Sequence, residues 1–231
     1  MAVWNAVLLV YERLDVRLGW RRRFRHVLGE ADVGAALRSF DAFPALATAV
    51  SSGEAQIRAQ VVHAERSLTS LTQMGPGLHW PSPSDTRPEL DRWAPSGSYD
   101  SVFVLWPLHD PVTGASVPSG GWGLGLGVTD WANGATYATV GSASPEVWAV
   151  PVLGEVWMHE WLHGVCDVYA RRGFPMPPGD ADGAERNGYR RDPEDGWCAY
   201  YRDLMTGRVV VDGRQVGIPP EAWRSGAARV R

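Results

Sequence analysis

His159-Glu160-Trp161-Leu162-His163 lies in the middle of a run from Pro151 to Arg172 that reads as one long helix. Pro151 suits the first helical position and Gly173 the position just past the end. In a helix, residues four apart stack on one face, so the imidazoles of His159 and His163 can reach the same small cation. Imidazole nitrogens bind Zn²⁺ at about 2.0–2.1 Å. Glu160 sits one residue round, close enough to take a proton from a water on that cation without being a ligand. A single helical histidine is ordinarily packed or solvated; two at this spacing with an acid between them form a metal-site pattern. The run therefore predicts a helix that carries Zn²⁺ on His159 and His163, with Glu160 as the general base.

Upstream, Val3 to Tyr11 is apolar and rich in β-formers, and reads as a buried strand. Asp32 to Val50 has apolar residues at Val33, Ala36, Leu37, Phe40 and Leu46, which is helical spacing despite Pro44. Ala55 to Leu71 opens with strand-like alternation and then suits either state. Gly75 to Ser98 is punctuated by prolines and glycines and reads as a loop. Ser101 to Trp106 is the clearest central strand, and Ala135 to Val140 is a further one. Between them, Gly121-Trp122-Gly123-Leu124-Gly125-Leu126-Gly127-Val128 alternates glycine with large apolar residues. As a strand it would have one bare face, open to close approach by a ligand, another backbone or a helix. Its spacing is not that of a dinucleotide-binding loop. Phe174 to Arg231 is polar, glycine-rich and aromatic, with no long periodic segment.

Composition bounds the function. The chain has 231 residues, 45% hydrophobic and 21% charged, with 26 glycines and 17 prolines, which fits a globular chain with many turns. No apolar run approaches the roughly 20 residues of a membrane span. The net charge of −4 argues against nucleic acid as a general partner. All 22 basic residues are arginine, and their one dense run, Arg21-Arg22-Arg23-Phe24-Arg25-His26, reads as a solvated turn. Twelve tryptophans are an unusual number; many suit the core, and a tryptophan-rich surface could also grip peptide or sugar. The first residues lack a basic segment and a cleavage site, so no signal peptide is visible and the compartment stays open. The chain is expected to be a monomer.

With its HExxH helix following several strands, the chain resembles the zincin metallopeptidases from about Val3 to Arg172. The resemblance implies an α+β fold: a twisted mixed sheet with a long active-site helix in residues 1–172, and an irregular lower subdomain, 173–231, that completes the cleft. It also implies a peptide or protein substrate, laid in extended form on an edge strand for which Gly121–Val128 is the candidate. Hydrolysis of peptide bonds is the expected activity. A scaffold that binds protein or carbohydrate without cutting, and a zinc hydrolase of a modified peptide or amide, are the alternatives.

The third ligand departs from the metzincin pattern HExxHxxGxxH/D, because Cys166 replaces the glycine and Tyr169 the last ligand. No histidine follows His163, so a downstream ligand must be a carboxylate, or else Cys198. Other zincins use a downstream Glu or Asp. Asp182 is the choice here, 19 residues past His163, with Asp180 and Glu185 as neighbours in the same loop. Asp167 is four residues past His163, too far along the axis from His159 to share the ion, and reads as a support for His163 or an arginine. Tyr200 to Gly207 resembles the methionine-bearing turn of metzincins, with Met205 beneath the metal, and either Tyr200 or Tyr201, of which Tyr201 is the choice, would supply a phenol to the oxyanion. Cys166 and Cys198 are either a disulfide joining the two halves of the cleft or two buried thiols.

Overall fold

β1 (Ala2–Val10) sends its side chains alternately into two apolar layers, Trp4, Leu8 and Val10 into one and Val7 and Leu9 into the other. A strand buried on both faces belongs in the middle of a sheet. The computed structural model, which describes residues 2–20, 22–142 and 151–228, places it there. Its neighbours are β4 (Ala55–His63) and β7 (Ser101–Trp106), both parallel to it. β9 (Ala135–Gly141) runs parallel to β7, and β8 (Gly123–Thr129) closes that side as an antiparallel edge strand. The order β4-β1-β7-β9-β8 makes one mixed sheet in an α+β chain.

One face of the sheet is covered by α1 (Glu30–Val50) and α3 (Glu155–Arg171). Aromatic rings join the two helices to the sheet: Phe40 lies 5.3 Å from Phe103 and 5.0 Å from Trp157, and Phe43 lies 5.4 Å from Trp161. Such edge-on pairs add about 0.5–1.5 kcal/mol each beyond the area they bury. The other face packs against two hairpins, β2 (Arg13–Leu18) with β3 (Arg22–Val27) and β5 (Thr72–Gly75) with β6 (Leu78–Trp80), and against the short helix α2 (Arg87–Trp93).

Beyond α3 the chain forms α4 (Cys198–Met205), the hairpin β10 (Val209–Val211) with β11 (Arg214–Val216), and α5 (Pro220–Arg224). These elements are short, as the absence of periodicity foretold, but they do not form a separate core. Tyr201, Leu204, Met205, Ile218 and Trp223 share the apolar layer of α3. Trp223 stacks on Trp161 at 6.2 Å and meets Tyr169 edge-on at 5.1 Å, while its indole N–H donates to the Met205 carbonyl at 2.8 Å.

Several sequence expectations are corrected. α3 begins at Glu155 rather than Pro151, because Gly154 has φ 91° and its amide turns to the Ser39 hydroxyl at 3.3 Å. The proline-rich stretch read as a loop contains β6 and α2; Pro88 is tolerated in the first turn of that helix, where its missing N–H costs nothing. The basic run is not a turn, since Arg22 to His26 lie in β3; Arg21 is outside the described residues. Tyr200 to Met205 is helical rather than a turn, and the helix stops at Thr206 and Gly207, the latter with φ 68°. Of the two readings of the cysteines, buried thiols hold: Cys166 and Cys198 are both free, and the two halves are joined by packing.

The glycine face of β8 packs under α3. A Cβ on Gly125 would lie 2.6 Å from His163 Cβ, and one on Gly127 would run into the Asp167 side chain. The helix reciprocates at Gly164, where a Cβ would come 2.8 Å from the Leu126 carbonyl oxygen. Small residues on both partners bring the edge strand and the HExxH helix almost into backbone contact. This close approach positions the site.

Candidate metal centre

On α3, His159 and His163 face the same way at the spacing of one helical turn, with ring centroids 5.0 Å apart. Each ring has one nitrogen already engaged. His163 Nδ1 is 2.7 Å from Asp180 Oδ1, and because a carboxylate only accepts, this nitrogen carries the proton. His159 Nδ1 is 3.0 Å from the Tyr201 hydroxyl, which can accept in the same way. His163 Nε2 is thereby left as the lone-pair donor of a neutral ring, while the hydroxyl on His159 Nδ1 leaves its Nε2 to face the loop. Both turn toward Asp182: His159 Nε2 lies 3.2 Å from Oδ1, and His163 Nε2 lies 3.8 Å from Oδ2.

Those separations bear on a metal. Two donors each about 2.0–2.1 Å from a tetrahedral ion stand roughly 3.3 Å apart. The donor atoms of His159, His163 and Asp182 lie within 4.8 Å of one another, and among the described residues these three form a group that could hold a metal ion. Two imidazoles and a carboxylate suit a borderline cation, and hydrogen bonds that fix the outer ring nitrogens are the usual support of histidine ligands.

The loop that brings Asp182 beneath the helix is tightly made. Gly179 has φ 86° and Asp180 φ 38°, so the chain enters the turn Asp180–Gly183 through two left-handed residues. Asp180 Oδ1 also accepts from the Ala181 N–H at 2.5 Å, and the Asp180 carbonyl accepts from the buried Tyr200 hydroxyl. Asn187 closes the loop by donating to the Gly183 carbonyl at 2.7 Å. A Cβ on Gly183 would come 2.5 Å from the Pro178 carbonyl oxygen, which explains why glycine stands there.

Electrostatics divide the carboxylates by role. Glu160 is only 3% exposed, and burial pushes its carboxyl up to about 7, opposed by the two imidazoles and reinforced by Asp182. A carboxyl tuned near neutrality is suited to accept and return a proton. The His159 imidazole beside Asp182 holds that carboxyl below the usual range. Burial works against a charge on His163, but the Asp180 hydrogen bond and the surrounding carboxylates outweigh it and raise its value. Tyr201 is fully buried, and its phenol is pushed well above the ordinary value, chiefly by burial.

The structure brings His159, His163, Asp182, Glu160 and Tyr201 together. It does not bring Asp167 or Glu185 into the donor group. Asp167 pairs with Arg171 at 2.9 Å, and Glu185 lines a cavity of about 230 Å³ beside His159 with Trp197 and Tyr201. A second cleft of about 360 Å³ opens on the other side, walled by Trp80, Trp122, Gly123, Gly125 and Glu160. Trp122 meets the His159 ring edge-on at 5.2 Å, a contact that sequence reading did not single out, although its place inside the glycine alternation was a signal. Asp180 was considered as a ligand but serves His163 from outside. No family model matches the chain, and neither a curated protein nor a solved structure matches it.

Proposed function

We propose that the chain is a zinc-dependent peptidase of zincin type, with His159, His163 and Asp182 as ligands and Glu160 as general base. The observation that carries the reading is the convergence of both Nε2 atoms on Asp182, each ring held by its own outer partner, beside a buried glutamate tuned near neutrality. Zn²⁺ held there would supply Lewis-acid polarisation of a carbonyl and acidify a water. Glu160 takes a proton from the attacking water and gives it to the departing amine, so the carboxyl ends as it began. Tyr201, with its hydroxyl on His159 Nδ1, acts as a positioning residue that holds the ring of that ligand in place. This role replaces donation to the oxyanion, since the hydroxyl is engaged by His159 Nδ1 at 3.0 Å.

A peptide substrate is supported by β8. It is the edge of the sheet, and its Gly123–Gly125 segment forms one wall of the cleft that contains Glu160 and both histidines. An extended peptide pairing with this edge would run past the metal ligands. The test is Glu160→Ala against a mixture of unstructured peptides, read by mass spectrometry. Cleavage by the wild type and none by the variant, with zinc content unchanged, is expected. Undiminished turnover by the variant would remove Glu160 from the mechanism, and a zinc-loaded wild type that cuts nothing would leave a binding scaffold.

A further inference from the structure

The segment Arg13 to Val27 holds six arginines against one aspartate, a surplus of five positive charges in a chain whose net charge is −4. The β2–β3 hairpin sorts these residues by face. Leu14, Val16 and His26 are buried against the sheet, with Phe24 half-buried beside them. Arg13, Arg17, Arg23, Arg25 and Val27 are exposed on the opposite face. At the tip, Gly19 turns with φ 68° and Trp20 is 81% exposed. The register sets Leu18 opposite Arg22 and Arg17 opposite Arg23, so arginines flank the tryptophan on both strands.

From this arrangement we infer that the tip of the β2–β3 hairpin docks onto an anionic lipid bilayer, with Trp20 in the headgroup layer and Arg17 and Arg22 on lipid phosphates. Tryptophan favours that layer because its ring is apolar and its N–H polar, and arginine binds phosphate with a planar fork of donors. A nucleic acid lying along the ribbon fits less well. Its outer face is interrupted by Asp15, which Arg23 and Arg25 hold at 2.6 and 3.3 Å, leaving the surplus charge concentrated toward the tip. The hairpin is also a firm support. His26 Nδ1 is 3.1 Å from the Pro107 carbonyl, Asp15 donates its N–H to the Leu68 carbonyl at 2.9 Å, and the Leu28 N–H donates to the Glu12 carbonyl at 2.9 Å. It lies on the sheet face opposite α3, so docking there does not depend on the metal centre.

The test is co-sedimentation of the full chain with phosphatidylcholine vesicles that do or do not contain phosphatidylserine. The chain is expected to pellet with the phosphatidylserine vesicles at low salt and to be released as salt screens the phosphates. Each arginine near an anionic surface contributes about a fivefold gain in partitioning, so R17A with R22A should weaken binding about 25-fold. Trp20→Ala should also weaken it, and more of the loss should persist at high salt. These side chains are exposed, so an unchanged thermal transition checks that each variant folds. Three results would overturn the inference: no pelleting with phosphatidylserine vesicles, pelleting that W20A and R17A/R22A leave unchanged, or retention on a DNA duplex in place of the vesicles.

Discussion

Gly125→Ala tests how the HExxH helix is held. The added methyl would lie 2.6 Å from His163 Cβ, about 0.8 Å inside the ordinary contact range that begins at 3.4 Å, and closer still to the Glu160 carbonyl oxygen. Neither obstacle is the end of a flexible side chain. β8 and α3 must therefore separate, and overpacking of this kind costs about 1–3 kcal/mol. For a chain of this size each kcal/mol lowers Tm by about 2–4 °C, so a fall of about 2–12 °C is expected by calorimetry. The displacement falls on the helix that carries His163, so metal affinity should drop with it. Gly120→Ala is the matched control: it lies in the wall of the same cleft, but its methyl meets Leu78 at 3.6 Å, an ordinary contact. If Gly125→Ala melted and bound metal like Gly120→Ala, the argument that the glycines exist to admit the helix would be refuted.

Other outcomes follow from the same geometry. Tyr201→Phe and Asp180→Asn each weaken the support of a histidine, and each should lower zinc affinity about 10–100-fold in a chelator competition while leaving far-UV dichroism unchanged. Glu155 is fully buried; its Oε1 accepts from the Trp197 N–H at 2.7 Å, and burial raises its carboxyl above the ordinary value. A folded-state value above the unfolded one means the native chain binds the extra proton. Stability from this group therefore falls as pH rises from the ordinary carboxylate value through the raised one. Urea titrations should show Glu155→Gln gaining on the wild type across that window and the gap closing at lower pH. Burial pushes the Cys198 thiol up to about 11 and the Cys166 thiol well above its usual value, so a thiol reagent should react with both only after unfolding.

The central strands and the HExxH helix were legible because each carries a pattern of its own. Val3 to Tyr11 and Ser101 to Trp106 are apolar on both faces, and burial on both faces is where the structure puts them. His159 and His163 were legible from spacing alone, since a helix turns any i, i+4 pair to one side. The third donor was harder. Asp182 and Asp180 are two residues apart in one loop, and which faces the Nε2 atoms depends on left-handed backbone at Gly179 and Asp180, which local composition does not encode. The start of α3 was misplaced for a similar reason: Pro151 is a good first residue, but the packing of Gly154 against Phe43 fixes the boundary. The run from Arg21 to His26 looked like a turn because it is so charged. Its partner β2 supplies Leu14 and Val16 to the core, and alternation across the pair lets β3 keep Arg23 and Arg25 outside, while Arg22 reaches solvent at the tip end. The glycine alternation at 121–128 admitted a ligand or a helix equally, and only tertiary packing chose the helix.

The most direct test of the account is the zinc content of purified protein by elemental mass spectrometry after dialysis against metal-free buffer, alongside Asp182→Ala. One zinc per wild-type chain, and a marked loss in the variant, is the predicted result. No zinc in the wild type even after incubation with excess metal, or an undiminished ratio in Asp182→Ala, would contradict the site built from His159, His163 and Asp182.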